Sequence, residues 1–486
     1  MQIDRRVSSQ SFARHLGRWR QGISGNLAST LAEQTRLMVL DGRLPVMTRL
    51  PSERSLAAEL AISRTTVAAA YDLLRQCGFL QSQQGSGTWI ALPEDVDSEA
   101  TAPWLPGAAR SELDLSHAAL SAPVEVFHSA MAEATSQLSI HLRGHGYNLL
   151  GLPKLREIVA ARFSARGLPT NSEQVLITSG AQQALSLAIM AFADHGSKVI
   201  IEHPTYPNAI DAIRQRGARP VPVPFSEGEW DLDQIASTMR DSGAQLGYFV
   251  PDFHNPTGRC MSAADRKQLV LAAHRTRTPL IIDETLVELG IEYDAPEPTG
   301  VYSADEATPI VTIGSASKIF WGGIRVGWLR APAAVIRKVA GLRPPLDMSS
   351  PILEQLIVAS LFPRLHEVVA HRRHVLRTAR DEMISQLGNH IPEWRPTKAL
   401  GGLSLWVDLQ ERTSSRFVSA AGHAGVLLSA GPRFGIDDAF ERFVRLPFTL
   451  PTETSNEAIR RLAEVWRAMR SQLPAGDVRR GPRLPI

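Results

Sequence analysis

The 486-residue sequence predicts an α/β protein in two unequal parts, a small helical head and a large body in which buried strands alternate with helices. Three observations carry that expectation. Apolar residues recur at helical spacing from Leu27 to Leu74 and lead into a glycine-punctuated hairpin pattern. Residues 93–111, PEDVDSEATAPWLPGAARS, are rich in Pro, Ala, Gly and acids and have neither helical nor strand periodicity. Beyond them, short apolar runs such as Val175-Leu-Ile-Thr, Val199-Ile-Ile and Leu280-Ile-Ile-Asp283 read as buried strands between helix-like segments. The expected divisions are a head over 1–92, a linker over 93–112, a body over 113–475 and a basic tail over 476–486.

Composition agrees with a globular chain able to bury large cores, at 44% hydrophobic and 21% charged residues. Cys77 and Cys260 are the only cysteines, which excludes a disulfide framework and fits a reducing compartment. No apolar signal core follows Met1-Gln-Ile-Asp-Arg-Arg, and no apolar run approaches roughly 18 residues, so a cytoplasmic protein is expected. The net charge of +3 is uneven. Before Pro93 eleven arginines face six acids, a balance of +5 that leaves −2 for the rest. A basic head on a near-neutral body points to an anionic partner for the head alone.

Before the head proper, Phe12, Leu16 and Trp19 have the spacing of a short helix that packs against the head or a partner. Leu27, Leu31, Thr35 and Met38 give a longer helix with one buried face. Leu50-Pro51-Ser52 supplies a stop and an N-cap, and Leu56, Ala57 and Leu60 a second short helix. A tight turn at Ala61-Ile62 leads to Ser63 as the next N-cap, with Val67, Tyr71 and Leu74 facing the core and Gly78 ending the helix. Leu80-Gln-Ser-Gln-Gln-Gly85-Ser-Gly87-Thr-Trp-Ile90 then reads as two strands around a glycine turn.

Helix, helix, turn, helix and β-wing make a winged helix-turn-helix, whose third helix enters the major groove of double-stranded DNA. Ser63, Arg64, Thr65 and Thr66 stand at its N-terminal end, where side chains reach base edges and the helix dipole favours phosphate. Arg64 can pair with a guanine or with a phosphate. Residues 50–90 resemble the GntR family of bacterial regulators along almost their whole length. By that resemblance Arg49, Glu53 and Arg54 at the second helix, and Ser86 and Gly87 in the wing, are also DNA contacts.

In the body, Ser315-Ala316-Ser317-Lys318 is followed seven residues later by Arg325. A lysine amine in a partly desolvated pocket condenses with a carbonyl to a Schiff base, while hydroxyls, backbone N–H groups and a guanidinium hold a dianionic phosphate. Pyridoxal 5′-phosphate needs both. The other lysines, at 154, 198, 267, 338 and 398, have no such setting. Ser179-Gly180-Ala181-Gln182 joins a buried strand to a helix, and free N–H groups at that start form an anion site. Tyr206, after a strand end, presents a ring on which a pyridine can stack. Asn255-Pro256-Thr257-Gly258 is a turn presenting an amide. Asp283 ends a buried strand, where an acid lies in the ligand crevice of an open α/β sheet and can keep a pyridine nitrogen protonated.

In this order the residues resemble fold-type I aminotransferases of the aspartate aminotransferase class, over roughly residues 113–470. The resemblance implies a large domain with a mostly parallel sheet and a smaller α+β domain. It implies that Lys318 is the catalytic lysine, that Asp283 faces the pyridine nitrogen, Asn255 the ring oxygen and Tyr206 the ring face, and that Ser179, Gly180, Ala181, Gln182, Ser315, Ser317 and Arg325 bind phosphate. It makes Arg445, in Phe443-Val-Arg445-Leu-Pro-Phe448, the clamp for a substrate carboxylate, and Tyr147 a residue that crosses a dimer interface to the partner's phosphate. No metal is expected. One departure concerns turnover: related sites carry a tyrosine two or three residues after the aspartate, whereas Glu284, Thr285 and Leu286 stand here.

A GntR-type head on an aminotransferase-like body resembles the MocR/GabR regulators in particular. That resemblance implies a head-to-tail homodimer, a DNA operator with paired half-sites, and a switch driven by pyridoxal phosphate or by an amine such as γ-aminobutyrate or taurine. The alternative is an active aminotransferase with a secondary DNA-binding head.

Overall fold

The computed structural model describes all of the chain except residues 1–4, 17–18, 20–25, 41–43, 45–47, 84–86, 92–112, 227–228, 304–306 and 472–486. The expected linker, the wing residue Ser86 and the basic tail lie outside the described residues.

The head contains α1 (Ser9–Leu16), α2 (Leu27–Leu40), α3 (Glu53–Leu60) and α4 (Arg64–Gln76). Its strands are β1 (Arg5–Arg6), β2 (Thr48–Arg49), β3 (Leu80–Gln83) and β4 (Gly87–Ile90), in one sheet ordered β1-β2-β4-β3. Both expected N-caps form. Ser52 Oγ accepts from Ser55 N at 3.2 Å and Ser63 Oγ from Thr66 N at 3.0 Å, each satisfying an amide that has no partner inside its helix. Between the two helices Ala61 adopts φ +51, the left-handed bend that turns α3 into α4. Phe12, Leu16, Leu31, Met38, Leu56, Val67, Tyr71 and Leu74 share one core, with Trp19 packed on its edge. Tyr71 buries its ring there and satisfies its hydroxyl on Pro51 O at 3.0 Å. The sequence shows no alternation at Arg5–Arg6, and the two-residue strand there exists because β2 offers it an edge: Arg5 pairs with Thr48 and Arg6 with Arg49.

The body begins at β5 (Leu113–Asp114), followed by α5 (Val124–His141) and α6 (Pro153–Ala165). Its main sheet is built from β6 (Val175–Thr178), β7 (Lys198–His203), β8 (Arg219–Ser226), β9 (Glu229–Trp230), β10 (Leu246–Phe249), β11 (Leu280–Asp283), β12 (Ile310–Ser315) and β13 (Gly327–Arg330). The order is β6-β13-β12-β11-β10-β7-β8-β9. Strands β8, β7, β10, β11 and β12 run parallel, and β13 runs against both of its neighbours. Alternate residues enter opposite cores. Ile281, Val311 and Ile313 pack with α7 (Ala181–Phe192), whereas Leu280, Ile282 and Ile310 pack with the helix Ala263–Thr276. Burial on both faces is why these strands read as unbroken apolar runs.

A smaller antiparallel sheet is formed by β14 (Arg395–Pro396), β15 (Ser404–Asp408), β17 (Ser429–Ala430) and β18 (Phe443–Pro447) in the order β14-β15-β18-β17. Between these, β16 (Val426–Leu427) pairs in parallel with β5. This sheet packs in a third core with α5, α6 and the helices Leu365–His390 and Thr452–Ser471.

The topology gathers chain ends at one rim. In register, Asp283 stands beside Ile313 near the end of β12, Ser315 opposite Gly327, and Gly327 opposite Thr178. Because β13 is antiparallel, its first residues lie where its neighbours finish. The segments after β6, β7, β10, β11 and β12, and the segment before β13, therefore converge on the carboxyl edge, where ligands of open α/β sheets bind.

Candidate functional site

A cavity of about 690 Å³ opens at that rim. Its wall holds Ala181 and Gln182 from the start of α7, Tyr206 after β7, Asn255 after β10, and Asp283 at the end of β11. Ser315 ends β12, Ser317, Lys318 and Arg325 come from the β12–β13 connection, and Arg445 from β18 of the small sheet. Ten expected residues from separate parts of the sequence thus share one space. Ser179 and Gly180 stand behind the wall: Arg325 Nη2 donates to Ser179 O at 3.1 Å. Gly180 has φ +86, and a Cβ there would lie 2.5 Å from Arg325 Nη2. Only glycine admits the guanidinium so close to the helix start. Tyr147 is outside the cavity, with 62% of its surface exposed.

Lys318 keeps part of its surface open to the cavity but is otherwise enclosed. Burial, reinforced by the nearby Arg445 charge, pushes its amine from 10.5 down to about 8. Its Nζ donates to Ala118 O at 2.7 Å. A lysine so placed is readily deprotonated to the nucleophilic amine. Burial pushes the Asp283 carboxyl up, against the donors that hold it down: Thr285 N at 2.9 Å on Oδ1 and Tyr248 Oη at 2.8 Å on Oδ2. Arg445 is pushed down to about 10 by burial; its Nη2 donates to Ser116 O at 2.5 Å, its Nη1 lies 3.4 Å from Asn255 Oδ1, and its plane sits 5.0 Å from the Phe434 ring.

The wall carries spare hydrogen-bonding capacity. Among the described residues, Ser317 Oγ, Gln182 Oε1 and Arg445 Nε are buried without a hydrogen-bond partner. Unpaired polar atoms in a wall are costly unless a ligand meets them. A hydroxyl, a guanidinium at Arg325 and the amides at the start of α7 suit a phosphate, and Lys318 suits an aldehyde, so the residues fit pyridoxal 5′-phosphate.

Sequence reasoning missed three contributors. Tyr248 lies within β10, yet its hydroxyl orients Asp283; a polar aromatic one position short of a crevice strand's end is the signal. Gln183 accepts from Ser179 N at 2.7 Å and donates to Asp347 at 2.6 Å, and Asp347 pairs with the fully buried Arg343, so this chain of bonds braces the α7 turn. The carbonyls of Ser116 and Ala118 have no side-chain signature at all.

On the head, Arg54, Ser63, Arg64 and Thr65 are exposed, while Glu53, Thr66, Arg49 and Gly87 are half-buried. Arg64 Nε lies 3.3 Å from Glu53 Oε2, which ties the first residues of α3 and α4 together. Arg49 lies 5.8 Å from the Trp89 ring. A Cβ on Gly87, at φ +114, would lie 2.5 Å from Arg49 Nε, so glycine lets the wing close on that arginine. Among the described residues, Arg64 and Glu53 thus meet at the openings of the two helices, and Arg49 and Gly87 meet at the base of the wing. No helix among the described residues is long and apolar enough to cross a membrane, and no cluster of three metal-ligating side chains occurs among them.

Residues 114–462 match the family described as aminotransferase class I and II, and residues 27–90 match the bacterial regulatory proteins of the gntR family. The chain is 28% identical over 438 residues to the uncharacterized HTH-type transcriptional regulator YdfD of Bacillus subtilis, covering 84% of this chain and 89% of that protein. It is 27% identical over 443 residues to the HTH-type transcriptional regulator NorG of Staphylococcus aureus, covering 85% and 97%. Among solved structures, the α-aminoadipate aminotransferase LysN of Thermus thermophilus, complexed with N-(5′-phosphopyridoxyl)-L-leucine, is similar at a TM-score of 0.67 and 28% identity, over 74% of this chain and 93% of that one.

Proposed function

Because this chain belongs to the class I and II aminotransferase family and carries a head of the gntR family, we propose that its body binds pyridoxal 5′-phosphate through Lys318 and reports an amine to the DNA-binding head. It is a transcriptional regulator in which a GntR helix-turn-helix is fused to an aminotransferase-like body. The observation that carries the sensing role is the meeting of Lys318, Asp283 and Arg445 in one cavity.

When bound, the cofactor supplies an aldehyde that captures amines and a pyridine ring that withdraws electrons from them. The chain supplies everything else. Lys318 holds the aldehyde carbon covalently, Asp283 holds a proton on the ring nitrogen, Asn255 donates to the ring oxygen, and Tyr206 covers the ring. Ser179, Gly180, Ala181, Gln182, Ser315, Ser317 and Arg325 hold the phosphate. Arg445 takes a carboxylate in a bidentate fork and so favours an acid-bearing amine such as γ-aminobutyrate over one without an acid. Tyr147, exposed on its own protomer, reaches the phosphate of a head-to-tail partner. Residues 93–112 join head to body, and the two heads of a dimer read paired half-sites in the cytoplasm, Arg49, Glu53, Arg54, Ser63, Arg64, Thr65, Thr66, Ser86 and Gly87 making the contacts.

The test is the visible spectrum with pyridoxal phosphate, before and after borohydride, together with operator affinity. A borohydride-sensitive band in wild type that Lys318→Ala lacks, with loss of ligand-dependent DNA binding, supports the proposal; no band in wild type overturns it. The same three pocket groups also favour an active aminotransferase, although Thr285 replaces the usual phenol and its amide is spent on Asp283. Steady amino-acid and keto-acid turnover of roughly 1 s⁻¹ or more would establish that second reading.

A further inference from the structure

We infer that the main chain of residues 116–118 is a two-point latch, which occupies two of the pocket's ligand-binding cations, Arg445 and Lys318, and must be displaced when ligands bind. The inference deepens the sensing role proposed above and rests on it. Arg445 Nη2 donates to Ser116 O at 2.5 Å, and Lys318 Nζ donates to Ala118 O at 2.7 Å. One three-residue stretch therefore accepts from both the proposed carboxylate clamp and the proposed cofactor lysine. Ser429 Oγ also donates to Ser116 O, at 3.3 Å.

The stretch is a built element. Asp114 Oδ1 accepts from Ser116 N at 2.8 Å and from Ser116 Oγ at 2.6 Å, and Asp114 Oδ2 lies 2.7 Å from His117 Nδ1. These bonds fold the chain into a turn that aims two carbonyls at the cavity. Upstream, Leu115 is fully buried and donates to Leu427 O at 2.8 Å, so the β5–β16 pairing holds the other side.

Both latch bonds conflict with the pocket's proposed ligands. A carboxylate gripped along one edge of Arg445 needs Nε and Nη2; Nε is buried without a partner, but Nη2 is already on Ser116 O. Joining Lys318 Nζ to an aldehyde carbon expels water, leaves the nitrogen at most one N–H where the ammonium had three, and draws it toward the new carbon, so the bond to Ala118 O is weakened. Cofactor and acid thus act on carbonyls two residues apart, and each loosens one anchor. Opening is complete only when both are present, which makes the latch a coincidence detector. In sequence, Leu113 adjoins the residues that lead to the DNA head, so a shift at Ser116 acts on the head's tether without crossing the eight-stranded sheet. The coupling is competition: whatever affinity the ligands lose in breaking the latch bonds is the free energy that moves the segment.

The test uses the full-length protein with pyridoxal phosphate as the probe. Amide exchange over residues 115–119 should rise about tenfold when the cofactor band forms, as for loss of a hydrogen bond to a charged group, and should rise again in Arg445→Met, which lacks the other anchor. Asp114→Ala, which loosens the turn, should capture pyridoxal phosphate about fivefold faster than wild type, a gain that general destabilisation would not give. Unchanged or slower exchange when the band forms overturns the latch and leaves the cofactor site standing, as does capture by Asp114→Ala no faster than wild type. If Asp114→Ala does not fold, the wild-type exchange result decides alone. Absence of the band in wild type overturns the cofactor reading and the latch together.

Discussion

In the head, 72% of the Arg64 side chain is open to solvent, with Glu53 3.3 Å away; in the body, Arg445 is 8% exposed and bound to a main-chain carbonyl. The two guanidiniums have opposite surroundings because their expected ligands differ in size. DNA is a surface that comes to the protein, so the head needs only to hold side chains outward on capped helix starts, which costs little folding energy. A small ligand must be enclosed, and enclosure strips water from charges. The depressed pKa values of Lys318 and Arg445 express that cost. In the body, therefore, function should trade against stability; in the head it should not.

The largest effect should come from Lys318→Met. The folded protein holds the Lys318 proton less tightly than the unfolded chain, about 8 against 10.5, so wild-type stability is lowest relative to the variant below pH 8 and recovers as pH rises toward 10.5. Without cofactor, Lys318→Met should be more stable than wild type by about 2–3 kcal/mol at pH 7, with the gap closing toward pH 10 in thermal melts across that range. No gain at pH 7 would break the comparison. Gly180→Ala, forced against Arg325 at a positive φ, should cost about 2 kcal/mol of stability and weaken cofactor binding, measured by denaturant melts and spectral titration. Arg64→Ala should weaken operator binding about tenfold or more with a melting curve that overlays wild type. A loss confined to one operator position would assign Arg64 to a base, and a uniform loss with a shallower salt dependence to a phosphate. The smallest effect, about 1 kcal/mol, should come from Ser63→Ala, which removes the N-cap of α4; it is the one head substitution in this group that should lower stability.

The same contrast governs what was legible in the sequence. Head elements rest on local grammar, and Ser52, Ser63, Leu56 and Val67 read directly as caps and core because cap and periodicity lie within a few residues of each other. The pocket side chains were legible through ordered motifs, and the register of β6, β11, β12 and β13 brings those motifs to one rim. What stayed hidden depends on distant partners. Tyr248 matters only because Asp283 is 35 positions away in sequence and 2.8 Å away in space. Arg343 spans to Leu149 O and Ile177 O across the fold, and nothing local marks it as a brace. Ser116 and Ala118 act through carbonyls, which every residue has, so only the fold distinguishes theirs. The Arg5–Arg6 strand is likewise borrowed from β2.

The reversed direction of β13 has a consequence for how such a protein can change over generations. With that strand inverted, the cavity wall is assembled from segments at strand ends, and few wall residues lie in the middle of a strand. Substitutions that retune the pocket can then accumulate in loops without disturbing sheet register. A lineage can exchange one pocket ligand for another while the scaffold beneath is inherited unaltered.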